Sequence, residues 1–272
     1  GRNTYSVFNY SIDQQETKSQ TKLLNDLYKA VDEQQFILFY QPKFTTSTRR
    51  ICGVEALIRW MHPVHGLLTP NMFIKGAEKS GLIIQMGYWA LEQACKQIQQ
   101  WEQQGLNLFP LAVNLSAVQF EHKHLFSTLE TLFRRYAIDP SHLMIEITET
   151  TAMHHVESSI RSFRRLREMG VKLAIDDFGT GHSSFLYLKD LPVDELKIDR
   201  AFIKDLYRDS KEEMILESII QLATKLGLTV TAEGVETPLQ AEILARLGCQ
   251  QLQGYLLSMP VEVKRLQDLP QV

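Results

Sequence analysis

Cysteine is scarce in this sequence. Only Cys52, Cys95 and Cys249 occur in 272 residues, far apart and without a C-x-x-C pair. An odd, dispersed count fits reduced thiols and excludes a disulfide scaffold or a cysteine-type zinc site. Long apolar runs are missing too. None reaches the roughly 18 residues of a membrane span, and the most apolar stretch, Leu82 to Leu91, is short and carries Gln85. Nor is there a surplus of positive charge. Lys and Arg total 29 against 32 Asp and Glu, a formal net charge of −3, so the chain lacks the basic face by which DNA or RNA is held in bulk. That balance still admits a small phosphorylated ligand in a local site. No signal peptide opens the chain and residue 1 is Gly. The expectation is a segment of a longer cytoplasmic protein, with membrane anchoring elsewhere in the parent left open.

What is present is an alternation. Residues 1–20 are polar and weakly patterned and read as a linker. From Leu23 the spacing of Leu23, Leu24, Leu27, Tyr28 and Val31 is helical. Strand-like runs follow at Phe36–Lys43 and near 51–60, 109–116, 143–149, 172–178, 194–199, 229–234 and 249–257. Helical patterns lie between most of them, at 70–80, 85–104, 123–136, 156–169, 183–190, 212–226 and 238–247. Four of these helices run into Gly105, Gly170, Gly227 or Gly248, the residue type that stops a helix in a left-handed turn. Strand–helix alternation with mostly apolar strands predicts a parallel sheet covered by helices. Eight strands in a chain of this length favour a closed α/β barrel over an open sheet.

Each strand carries one polar residue out of place, mostly toward its C-terminal end: Gln41, Glu55, Asn114, Glu146, Asp176 with Asp177, Lys197, Glu233 and Gln253. An unpaired charge in an apolar strand costs several kcal/mol. One per strand at similar depth predicts convergence on one barrel mouth, the end where sites of this fold sit. Five carboxylates with one lysine repel one another unless cations intervene, and hard oxygen donors select Mg²⁺ or Mn²⁺. Adjacent Asp176 and Asp177 point to opposite faces of an ideal strand, so they share a site only where the strand ends or bends. Glu55 and Arg59 have the same parity and face one interior, the first suited to a metal and the second to a phosphate oxygen.

These residues lie in ordered strings: Tyr40-Gln-Pro-Lys43, Glu55-Ala-Leu-Ile-Arg-Trp60, Asn114-Leu-Ser116, Glu146-Ile-Thr-Glu149, Asp176-Asp-Phe-Gly-Thr-Gly181, Leu196-Lys-Ile-Asp199, Ala232-Glu-Gly-Val-Glu236 and Gln253-Gly-Tyr255. In them the chain resembles the EAL-domain family, phosphodiesterases of the bacterial second messenger cyclic di-GMP, from about residue 23 to 260. The resemblance implies a TIM-like (β/α)8 barrel over residues 21–272 with an antiparallel first strand. It implies two Mg²⁺ or Mn²⁺ ions, with Ca²⁺ inhibitory. Glu55, Asn114, Glu146 and Asp176 would hold one ion, and Asp176, Asp177 and Glu233 the other. Lys197 would meet the attacking water or a phosphate, and Glu233 is a candidate proton acceptor. Gln41 and Arg59 would contact substrate, Gln253 would support the site, and Glu149 would steady the loop after Asp177. In that loop His182 stands where the family mostly has Tyr, and Phe185 replaces a smaller aliphatic residue. Gly1-Arg-Asn-Thr-Tyr5 resembles the end of a GGDEF domain, so an upstream GGDEF module and a homodimer are family expectations. The alternative function is a catalytically silent EAL domain acting as a cyclic di-GMP receptor or protein-interaction module. Such relatives usually lack metal ligands, and none is missing here.

Plainer readings stand beside these. Asn114 could be a buried amide satisfied by backbone, and from the strand alone the two readings are level. Lys197 could pair with Asp194 or Asp199. Glu236 suits a cap for the helix starting at Pro238 better than a metal ligand. His62 with His65, and His154 with His155, form no zinc-type array and are expected as surface or loop residues. Arg161–Arg167 is expected to be a solvated helix face with Phe163, Leu166 and Met169 turned inward. Asp177-Phe-Gly179 lacks the companion motifs of a kinase, and Gly179-Thr-Gly181 lacks the third glycine of a dinucleotide fingerprint.

Overall fold

The computed structural model describes residues 22–106, 110–179 and 185–267. Helix α1 (22–32) comes first. Strands β1 (Phe36–Thr45) and β2 (Ile51–His62) form a hairpin, and β3 (Gly66–Leu68) folds back on the end of β2. Helices α2 (Pro70–Ser80) and α3 (Leu82–Gln103) lead into β4 (Leu111–Leu115). Next come α4 (Ala117–Phe120), α5 (Leu125–Tyr136), β5 (Leu143–Thr148), α6 (Glu149–His154), α7 (Val156–Glu168) and β6 (Lys172–Phe178). The chain continues through α8 (Phe185–Leu188), β7 (Glu195–Ile198), α9 (Arg200–Lys204), α10 (Lys211–Lys225), β8 (Thr229–Ala232), α11 (Pro238–Arg246), β9 (Gln251–Leu252) and α12 (Val263–Gln267).

The strand order is β1-β9-β8-β7-β6-β5-β4-β2-β3, and pairing of β1 with β2 closes the sheet into an eight-stranded barrel with β3 appended. Strand β1 is antiparallel to both neighbours, while β2 and β4 to β9 pair in parallel. The eight expected strands are therefore the barrel wall. Strand β3 and helices α4, α6, α9 and α12 were not expected, because elements of three to six residues are too short to show a period. The expected linker over 1–20 and His182 lie outside the described residues, and Phe185 opens α8.

Outside the wall, apolar faces of the helices pack on outward strand residues. Ile98 and Leu91 of α3, Phe163 and Leu166 of α7 and Ile220 of α10 join Val113, Ile145, Leu173 and Leu196 in one core. Each such buried side chain contributes about 1.5–3 kcal/mol, so the wall is a rigid frame. The arginines of α7 face solvent as expected, with Phe163 and Leu166 buried and Met169 packed at the edge. Two expectations need correction. Thr237, not Glu236, is the N-cap of α11; its hydroxyl accepts from Gln240 N–H, its own backbone N–H donates back to Gln240 Oε1 to complete a capping box, and Glu236 only adds its backbone N–H to the same oxygen. His62 is buried, not superficial. Its Nδ1 accepts the backbone N–H groups of Val64 and His65 at 3.0 and 3.1 Å and so ties the β2–β3 turn.

Inside the wall, the two-residue period of a strand stacks side chains in layers. Stepping two residues along each strand leads from Lys43 to Gln41, Gly53 to Glu55, Ala112 to Asn114, Met144 to Glu146, Ala174 to Asp176, Glu195 to Lys197, Thr231 to Glu233 and Gln251 to Gln253. The first member of each pair belongs to the barrel floor and the second to its mouth. In the floor, Ala112, Met144 and Ala174 pack together.

Candidate active site

The mouth is built around Lys197, fully buried at the end of β7. Its Nζ lies 2.6 Å from Glu146 Oε2, 2.8 Å from Glu233 Oε1, 3.1 Å from Asp176 Oδ1 and 3.4 Å from Glu55 Oε2. Neither Asp194 nor Asp199 pairs with it. Asp194 accepts Leu173 N–H and lies 3.5 Å from Arg167, and Asp199 caps α9. Burial pulls an ammonium down, yet these carboxylates, Asp176 foremost, hold Lys197 well above its ordinary value, so it stays charged.

Around it the other expected residues assemble from neighbouring strands. Asn114 Nδ2 donates to Glu55 Oε1 at 2.6 Å, and Gln253 Nε2 donates to Glu55 Oε2 at 2.7 Å and to Gln41 Oε1 at 3.2 Å. Gln41 in turn donates to the Ser258 carbonyl at 3.1 Å. Gln253 is fixed by its backbone: its N–H donates to Ala232 O and its carbonyl accepts Val235 N–H. The next residue is Gly254 because a Cβ there would fall 2.3 Å from the backbone N and O of Val235. Arg59 stands apart, its guanidinium bonded to the Ile58 carbonyl and 5.6 Å above the Phe39 ring, with burial lowering its pKa.

Asp176 and Asp177 share the mouth because the strand breaks there. Asp177 takes a left-handed φ of 54°, and the β6–β7 register shifts between Ile175 and Phe178. Such a backbone costs about 1–3 kcal/mol and persists where the site needs it. Asp176, Asp177 and Glu233 consequently offer carboxylate oxygens all within 4.8 Å of one another. After the break, Gly179 N–H donates to Glu149 Oε2 at 2.7 Å, which ties the start of the loop to α6. Gly179 has a φ of 97° and a Cβ there would strike the Phe202 ring.

The electrostatics follow from the crowding. Burial, with Glu146 and Asp176 nearby, pushes Glu55 up to about 7. Burial, then Asp176 and Asp199, push Asp177 up to about 6. Burial drives Glu233 well above the carboxylate range. Glu146 moves the other way, to about 2, because Lys197 and Lys43 together outweigh its burial. Lys43 is not among the residues expected at the site. It is buried under the mouth, 2.9 Å from Glu146 Oε1 and 2.7 Å from Glu195 Oε1. Thr231 donates its hydroxyl to the same Glu195 oxygen at 2.8 Å. Period-two stepping from Gln41, Lys197 and Glu233 is the signal that would have found all three.

At the mouth one ammonium meets the carboxylates of Glu55, Glu146, Asp176, Asp177 and Glu233. Asp176 Oδ1 is buried without a hydrogen bond although Lys197 is 3.1 Å away. An excess of hard, clustered oxygens fits divalent cations of the Mg²⁺ or Mn²⁺ type.

A closed barrel with one strand reversed and an acidic mouth at the strand ends defines a metal-competent β/α-barrel domain. Residues 24–260 match the family described as EAL domain, and the chain belongs to that family. It is 47% identical over 266 residues to the bifunctional diguanylate cyclase/cyclic di-GMP phosphodiesterase MucR of Pseudomonas aeruginosa, covering 98% of this chain and 39% of that protein. It is 39% identical to the signaling protein YkoW of Bacillus subtilis, covering 98% and 33%. It thus spans only a third to two fifths of these relatives. A solved structure of the PaMucR phosphodiesterase in complex with c-di-GMP superposes with a TM-score of 0.87 at 48% identity, covering 90% of this chain and 99% of that one. No helix among the described residues is long and apolar enough to cross a membrane.

Proposed function

We propose that this domain hydrolyses one phosphodiester of cyclic di-GMP to give linear 5′-pGpG. The observation that carries the reading is the convergence of Glu55, Asn114, Glu146, Asp176, Asp177 and Glu233 around a buried, charged Lys197 in a barrel of a phosphodiesterase family. Glu55, Asn114, Glu146 and Asp176 would hold one divalent ion, and Asp176, Asp177 and Glu233 a second. Bound there, Mg²⁺ or Mn²⁺ supplies charge neutralisation and makes water acidic enough to attack near neutral pH.

The chain's own groups do the rest. Lys197, locked by its carboxylate ring, orients the attacking water or meets negative charge growing on the phosphoryl oxygens. The water oxygen bonds to phosphorus as the bond to the 3′-oxygen breaks in line with it. Glu233 is the candidate to take the water's proton, and the departing 3′-oxygen takes up a proton from solvent. Gln41 and Arg59 at the rim contact the nucleotide, Gln253 holds Glu55 and Gln41 in place, and Glu149 steadies the loop after Asp177. In the parent protein an upstream GGDEF module and a homodimer complete the reading. Product analysis by chromatography tests it: 5′-pGpG is expected with Mg²⁺ or Mn²⁺, and little with Ca²⁺. Tight nucleotide binding with no product in Mg²⁺ would replace hydrolysis by a receptor role.

A further inference from the structure

We infer that Lys43, held in the barrel floor by a Glu195 carboxylate that Thr231 orients, is a positioning residue for the metal-holding carboxylate of Glu146. The inference rests on the metal reading of the mouth and extends it to groups one layer below. Glu146 is fully buried, and its two oxygens are divided between two ammoniums. Oε1 points down to Lys43 at 2.9 Å, and Oε2 points up to Lys197 at 2.6 Å. Lys43 therefore fixes the plane of the carboxylate and keeps its second oxygen turned toward the mouth.

Lys43 is itself aimed. Glu195 Oε1 accepts from it at 2.7 Å, and Thr231 orients that oxygen at 2.8 Å. The floor makes room for this long side chain with small residues, Gly53 and Ala112 among them; a Cβ at Gly53 would already touch Lys43 Cδ at 3.5 Å. Lys43 brings its own counter-charge, so the Lys43–Glu195 pair is neutral as a unit. Besides helping to keep Glu146 ionised, Lys43 directs its carboxylate, and as part of a neutral pair it places no net positive charge beneath the metal site. Partners of metal ligands of this kind typically cost about 10–100-fold in metal affinity when removed.

The test is Mn²⁺ binding by calorimetry on the full chain. The double variant Lys43→Met/Glu195→Gln removes the pair while keeping volume and charge balance. It is expected to fold and to bind Mn²⁺ about 10–100-fold more weakly, with kcat for cyclic di-GMP lowered and KM unchanged at saturating Mn²⁺. A role confined to packing would lower the unfolding midpoint and leave Mn²⁺ affinity at the wild-type value, and that result overturns the inference. Should the double variant not fold, Thr231→Val loosens the same pair; several-fold weaker Mn²⁺ binding supports the inference, and unchanged binding overturns it. A wild-type chain that binds no Mn²⁺ defeats the metal reading itself and the inference with it.

Discussion

Floor and mouth of this barrel lie two residues apart on every strand, yet their charges are handled in opposite ways. In the floor, Lys43 meets Glu195, Thr231 completes the bond, and the remaining positions include alanine, glycine and methionine. In the mouth, a single ammonium, Lys197, stands among Glu55, Glu146, Asp176, Asp177 and Glu233, and three of those carboxylates are pushed up in pKa by burial and mutual repulsion. A buried pair with its hydrogen bonds made needs nothing further. A crowd of acids around one lysine is stable only in part and gains from any divalent cation. The same frame thus holds a balanced layer, to which we assign positioning, and an unbalanced layer, to which we assign metal binding, with Glu146 shared between them.

The comparison can be broken at either layer. The largest effect is expected at Asp176, which both proposed ions share. Asp176→Asn should lower the rate of cyclic di-GMP hydrolysis on the order of 10³-fold, the equivalent of about 4 kcal/mol of transition-state stabilisation, measured by product formation in Mg²⁺. The next is in the floor. Lys43→Met alone leaves Glu195 buried and unpaired and should cost about 3 kcal/mol of stability, read from urea unfolding. The mouth should respond with the opposite sign. Asp177→Asn removes a carboxylate held up to about 6 by burial, Asp176 and Asp199, at a left-handed position that suits Asn. Because the site is partly open to solvent, the gain in the metal-free chain should be only about 1 kcal/mol.

The smallest effect is on pH dependence. Glu55 rises from its ordinary 4.5 to about 7 in the folded chain, and Asp177 from 3.8 to about 6. Between those values the folded chain binds more protons than the unfolded one, so stability must fall as pH rises from about 4.5 to 7. Glu146, lowered to about 2, acts in the opposite direction and only below its ordinary 4.5. In EDTA the unfolding midpoint should therefore drop across the upper window, by about 2–4 °C for each kcal/mol lost, and Mg²⁺ should flatten the drop. A midpoint that climbs with pH in EDTA would contradict the assignment of Glu55 and Asp177 to a crowded mouth.

The mouth was legible in the sequence because ionisable residues in apolar strands stand out, and one per strand at equal depth has few explanations. The eight wall strands were legible for the same reason of period. The bend at Asp177 was anticipated from parity alone, since two adjacent aspartates share a site only off the ideal strand. The floor residues could be found by stepping two positions from the mouth, but their pairing was not legible. Lys43 follows Pro42 in an ordinary-looking run, and Glu195 after Asp194 resembles the solvated start of a strand. Their partnership spans 152 positions of sequence, and that of Lys43 with Glu146 spans 103. Only closure of the barrel brings them together, and closure is a property of the whole sheet that no local window carries. The buried place of His62 escapes the sequence for a related reason: its ring is tied into the turn that leads to β3, a strand too short to announce itself.

Counting the ions held by the mouth tests the central claim most directly. Equilibrium dialysis of the wild-type chain against Mn²⁺ should give two ions per chain at saturation, with Asp176→Asn losing both sites or weakening them together and the floor variant Lys43→Met/Glu195→Gln keeping the number while lowering the affinity. No Mn²⁺ bound by the wild type, or two ions still bound with undiminished affinity after Asp176→Asn, would contradict the account.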